Sequence, residues 1–78
     1  MTESEIVATL IHLRSLLDSG RAQAVCRKAG LTNADVAKVI GVTAPSVWCY
    51  FNAGRRPRRD TALRLADLLL QLELMLDE

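Results

Sequence analysis

Apolar residues recur along this chain at steps of three and four and never alternate, which predicts helices and no strands. Near the N-terminus Ile6, Leu10, Leu13 and Leu17 fall on one helical face, and Val7 and Ile11 widen that stripe. Thr2 with Glu5 three residues on is a capping-box pair that opens this helix, and Ser19-Gly20 closes it, giving a helix over 3–18. A second helix over 21–29 carries Ala22, Val25 and Cys26 on its apolar side and stops at Gly30. Thr32 and Asp35 repeat the cap pattern, with Asp in place of Glu. They open a third helix with Val36, Val39 and Ile40 on one face, which Gly41 ends. Thr43 caps a fourth helix over 44–52, with Pro45 in its first turn, where the missing N–H costs little. A loop over 53–59 bends around Pro57, and Asp60 begins a last helix over 60–76. That helix bears two stripes, Leu65/Leu69/Leu72/Leu76 and Leu63/Leu70/Leu74.

Only Gly41-Val42-Thr43 separates the third and fourth helices, so they must cross steeply. A steep, close crossing needs a small residue at the contact, and Ala37 stands four residues before Gly41. Gly41 can supply the turn with positive φ, Val47 can plug the corner, and Ile40 can anchor it. Alanine, then glycine four on, then valine six further on is the packing requirement of a helix-turn-helix, here over 32–52.

Length and charge sharpen this picture. Seventy-eight residues make one small domain, 1–78, with a marginal core. No apolar run is long enough to span a membrane, and Glu3 and Glu5 are the wrong sign for a secretory signal. Two cysteines and one histidine cannot build a disulfide framework or a four-ligand zinc site, so no metal or cofactor is expected. No reactive constellation is present: His12 lies within a helix, Cys26 and Cys49 have no nearby histidine, and Asp35 and Asp60 serve as caps. An enzyme is therefore not expected. The net charge of +1 hides a strong asymmetry. Residues 21–59 hold Arg21, Arg27, Lys28, Lys38, Arg55, Arg56, Arg58 and Arg59 against Asp35 alone, a balance of +7. Residues 1–20 balance to −2 and residues 60–78 to −4. A basic middle between acidic ends points to one surface that faces a polyanion.

The stretch from Leu31 to Pro57, LTNADVAKVIGVTAPSVWCYFNAGRRP, resembles the lambda-repressor-like (Cro/C1-type) helix-turn-helix family, and TALRLADLL over 61–69 looks like its closing helix. The likeness covers about residues 21–70, leaving the first helix and the leucine-rich tail outside it. It implies an all-α, five-helix domain with an extra N-terminal helix and a long C-terminal helix. It also implies a transcriptional regulator, like a phage Cro or repressor, acting on double-stranded DNA in a bacterial cytoplasm. The fourth helix would enter the major groove, which is about 12 Å wide and admits one helix.

The resemblance sorts the candidate contacts. Val47 and Phe51 should face the core with Tyr50 partly against it, leaving Ala44, Pro45, Trp48 and Cys49 outward. Relatives carry Gln, Arg or Ser in the first turn of this helix. Here Ala44 and Pro45 offer no side-chain donor, so readout there could only be apolar, for example against a thymine methyl. Trp48 either contacts bases or folds back into the core. Thr43, Ser46 and the first-turn N–H groups can face a phosphate, and Asn33 matches a backbone-gripping Gln of relatives. Asn52 matches a phosphate-binding Asn or caps its own helix. Arg55, Arg56, Arg58 and Arg59 should follow along the same strand, or send one side chain into the minor groove. A second leucine stripe needs a cover, either the first helix or a second subunit. A homodimer would suit a palindromic operator, with recognition helices about 34 Å apart. The competing function is a protein-interaction module, such as an antitoxin or phage accessory factor, that uses the helix-turn-helix as a scaffold.

Overall fold

The computed structural model describes residues 2–76 as five helices with no strand among them: α1 (Glu3–Asp18), α2 (Arg21–Lys28), α3 (Asn33–Ile40), α4 (Ala44–Asn52) and α5 (Arg59–Leu76). The all-α, five-helix reading holds. Asp77 and Glu78 of the acidic end lie outside the described residues. Boundaries move by one residue in two places, with α2 stopping before Ala29 and α5 starting at Arg59.

Local chemistry sets the breaks. Thr32 and Asp35 make a complete capping box: the Asp35 N–H donates to Thr32 Oγ1 at 3.2 Å, and the Thr32 N–H donates to the Asp35 carboxylate at 2.9 Å. Only half of that pattern forms at α1, where the Glu5 N–H donates to Thr2 Oγ1 while the Glu5 carboxylate accepts from the Thr2 hydroxyl. At Gly30, φ is +79°, and the Gly30 and Leu31 N–H groups close back on the Arg27 and Cys26 carbonyls, the pairing that terminates a helix on a left-handed residue.

α5 is the central element, packing against α1, α2 and α3. Its stripe Leu65, Leu69 and Leu72 is buried, with Ala62 at its start. Leu13, Leu16 and Leu17 of α1, Ala22 and Cys26 of α2, and Val36, Ala37 and Ile40 of α3 close over it.

Two apolar expectations are corrected by this packing. Val7 and Ile11 do not widen the buried stripe of α1. Leu16 takes that role, while Val7 and Ile11 stay exposed beyond the edge of the stripe, Ile11 by 63 %. Val39 does not join Val36 and Ile40, because the face of α3 that meets α4 and α5 is centred on Ala37, which leaves Val39 in solvent. The leucine stripes resolve as well: the first is core at Leu65, Leu69 and Leu72 with Leu76 half-buried, while Leu70 and Leu74 of the second remain 58 % and 62 % exposed despite α1 lying alongside.

Candidate nucleic-acid interface

The corner between α3 and α4 is built as its residues require. Ala37 is buried at the crossing and Val47 is fully buried beside it. Gly41 has φ +76°, and the N–H groups of Gly41 and Val42 both donate to the Ala37 carbonyl, at 2.8 and 3.0 Å. A residue with a Cβ is strained in that conformation.

α4 is thereby presented edge-on with one face free. Val47 and Tyr50 are buried, and Phe51 is half-buried against the core, so Tyr50 and not Phe51 is the deeper aromatic ring. On the outward side Pro45 is exposed and Cys49 half-buried, while Ala44 is half-buried at the helix start. Trp48 is 53 % exposed, so it does not fold back into the core.

Polar groups around this face are largely engaged with one another. Thr43 Oγ1 accepts the Ser46 N–H at 3.4 Å and lies 2.9 Å from Ser46 Oγ. Pro45 has no N–H to offer. At the other end Asn52 Nδ2 donates to the Trp48 carbonyl at 3.1 Å, its helix-end role. Asn33 sits half-buried at the first position of α3, beside the Thr32 cap.

The arginine loop begins where α4 ends. The Arg55 N–H closes on the Cys49 carbonyl at 3.3 Å, with Gly54 left-handed before it. The four arginines then part. Arg56 pairs with Asp18, with Nη2 3.0 Å from Oδ1, and Arg59 pairs with Glu3. Arg55 and Arg58 have no carboxylate partner among the described residues. The single strip of four arginines expected from the sequence is thus two free guanidinium groups and two tethered to α1.

One basic residue of this region escaped the sequence reading. A Cβ built on Gly41 would lie 3.1 Å from Arg64 Nη1, so Arg64 of α5 reaches across to the turn before α4. Its only sequence signal was that it is the lone cation of an acidic segment.

Two titrating groups are perturbed. The backbone N–H of Thr32, then its hydroxyl, holds the Asp35 carboxyl below the ordinary aspartate range. Burial pushes the Cys26 thiol up. Among the described residues no group of three or more His, Cys, Asp or Glu side chains could hold a metal ion, and no helix is long and apolar enough to cross a membrane.

Two short helices crossing over an alanine and a left-handed glycine, with the second exposed along one face beside basic residues, define a helix-turn-helix protein. The chain belongs to the helix-turn-helix domain family of DNA-binding domains, whose model matches residues 19–76 and so takes in α2 to α5. No curated protein and no solved structure matches the chain.

Proposed function

We propose that this protein is a sequence-specific transcriptional regulator of the Cro/repressor type, resembling those of phages, that lays α4 in the major groove of an operator. The observation that carries this reading is the open face of α4: Trp48 stays 53 % exposed on a side of this nine-residue helix that no other described element covers. Free guanidinium groups at Arg55 and Arg58 follow directly, and Arg64 flanks the helix at its other end. Such groups fix register on phosphates, while the face between them meets base edges.

A second copy of the chain on the same operator is part of the proposal. Leu70 and Leu74 are large, adjacent along α5 and uncovered, and a two-fold pair would bury them. The same leucines also suit a foreign protein, which is the feature that favours the interaction-module reading.

A salt titration of duplex binding tests the proposal. Log K should fall linearly with log salt, with a slope of about −0.9 per neutralised phosphate. Removing Arg55 or Arg58 should reduce the slope by about 1. A salt-independent signal, or a stable protein partner recovered with no DNA retained at low salt, overturns it in favour of the interaction module.

A further inference from the structure

We infer that α4 reads the C5-methyl group of a pyrimidine, so that the preferred duplex places methyl-bearing pyrimidines in the major groove beneath Trp48 and Pro45. This rests on the DNA-binding reading above and adds to it the chemistry of the recognised base.

The outward face of α4 runs from Pro45 through Trp48 and Cys49 to Asn52, positions three and four apart that share one side of a helix. Its middle is apolar. Pro45 brings neither a polar side chain nor an N–H. Trp48 brings a large ring with a single N–H at its edge. Hydrogen-bonding side chains occur only at the two ends, and each already makes one bond to a neighbour in α4 or its cap. Thr43 and Ser46 bond to each other at 2.9 Å, and Asn52 donates to the Trp48 carbonyl at 3.1 Å.

Base edges in the major groove are donors and acceptors, with one apolar exception, the methyl on C5 of thymine. An apolar side chain laid over a G·C pair strips water from N7, O6 and N4 and returns no bond. Over a thymine it gains contact with a methyl group. 5-Methylcytosine carries the same group on the same ring carbon, so it presents the same chemistry from another source. Bidentate recognition of guanine needs a guanidinium or ammonium, and none lies on this face of α4.

The test uses duplexes chosen by the protein itself. Duplexes retained from a random pool are resynthesised with deoxyuridine replacing thymidine one position at a time, which removes the methyl and leaves every hydrogen-bonding group in place. A second set carries 5-methylcytosine in place of cytosine. The expected result is a loss of about fourfold in affinity at each contacted thymine, the worth of one buried methyl, and no loss elsewhere. In Trp48→Ala, which changes an exposed side chain and should keep the helical circular dichroism of the parent, the thymine–uracil difference should vanish at the positions beneath Trp48 and persist at any beneath Pro45. A gain on cytosine methylation at contacted positions would identify 5-methylcytosine as the natural source, and no gain would identify thymine. Retained duplexes that bind equally well with uracil, and equally well with either cytosine, overturn the inference while leaving DNA binding intact. Failure to retain any duplex at low salt overturns the underlying reading and this inference with it.

Discussion

Arg56 is held by Asp18, thirty-eight residues earlier in the chain, with its Nη2 3.0 Å from Oδ1 and 3.3 Å from Oδ2 of the same carboxylate. Arg59 repeats the arrangement on Glu3. Asp18 is the last residue of α1 and Glu3 the first, so the arginine loop runs antiparallel along that helix. The acidic N-terminal segment and the basic middle, separate blocks in the sequence, meet in space. Any phosphate approaching Arg56 or Arg59 competes with a carboxylate already there.

Releasing these arginines should therefore strengthen non-specific DNA binding. In Glu3→Gln with Asp18→Asn the salt slope should steepen by up to about 2, one phosphate for each freed side chain. Thermal stability should change little, because both pairs are solvent-exposed and such pairs contribute less than about 1 kcal/mol each. Fluorescence anisotropy on a random duplex across a salt series reads the slope. An unchanged slope would mean that Arg56 and Arg59 never reach a phosphate.

The corner between α3 and α4 should fail when its small residue is enlarged. Ala37 is 4 % exposed at the crossing, against the fully buried Val47. Ala37→Leu must push the helices apart, at a cost of about 1–3 kcal/mol. For a domain of this size that lowers the melting temperature by roughly 4–8 °C per kcal/mol. A urea midpoint equal to that of the parent would show that the helices do not touch there.

Most of the fold was legible because its breaks are chemical. Thr32, Thr43, Gly30 and Gly41 are residues whose side chains, or lack of one, decide local backbone geometry without help from the rest of the chain. Their effects reach only a few residues, so all five helices fell within one residue of their observed limits. Facing was harder. Val7, Ile11 and Val39 share helices with core residues, and a periodic pattern fixes a stripe without fixing how wide an arc neighbouring helices will cover. On α4 the inward Val47 and the outward Pro45 were legible, whereas Trp48 was open between the groove side and the core, and Tyr50 rather than the expected Phe51 proved the deeper ring. The split of the arginines was not legible, because pairing with Glu3 and Asp18 depends on where α1 packs and no local signal encodes it.

The capping box at Thr32 makes part of the stability acid-sensitive. The Asp35 carboxylate accepts the Thr32 N–H in the folded chain, which lowers its pKa below the ordinary aspartate value of 3.8. A group whose folded pKa is depressed adds stability above its unfolded pKa and loses it as pH falls toward the folded one. The contribution should be complete above about pH 5 and should decline from there downward through 3.8. Asp35→Ala should be less stable than the parent at neutral pH, and the gap should narrow on acidification. Urea unfolding followed at several pH values measures it. A gap of constant size would show that the carboxylate is not what the cap requires.

The two thiols give an internal report on which face meets DNA. Cys26 is 2 % exposed between α2 and the core, and burial raises its pKa, so little of it is thiolate at neutral pH. Cys49 is partly exposed on the outward side of α4, next to Trp48. Iodoacetamide should modify Cys49 first and reach Cys26 only on the time scale of unfolding. Addition of a retained duplex should then slow Cys49 modification in proportion to the bound fraction, while Cys26 is unaffected. Mass spectrometry of the two cysteine-bearing peptides separates the rates. Equal rates in the free protein would contradict the burial of Cys26. Full reactivity of Cys49 in the complex would place the DNA on another surface, because a helix seated in the groove leaves no room for reagent along its outward side.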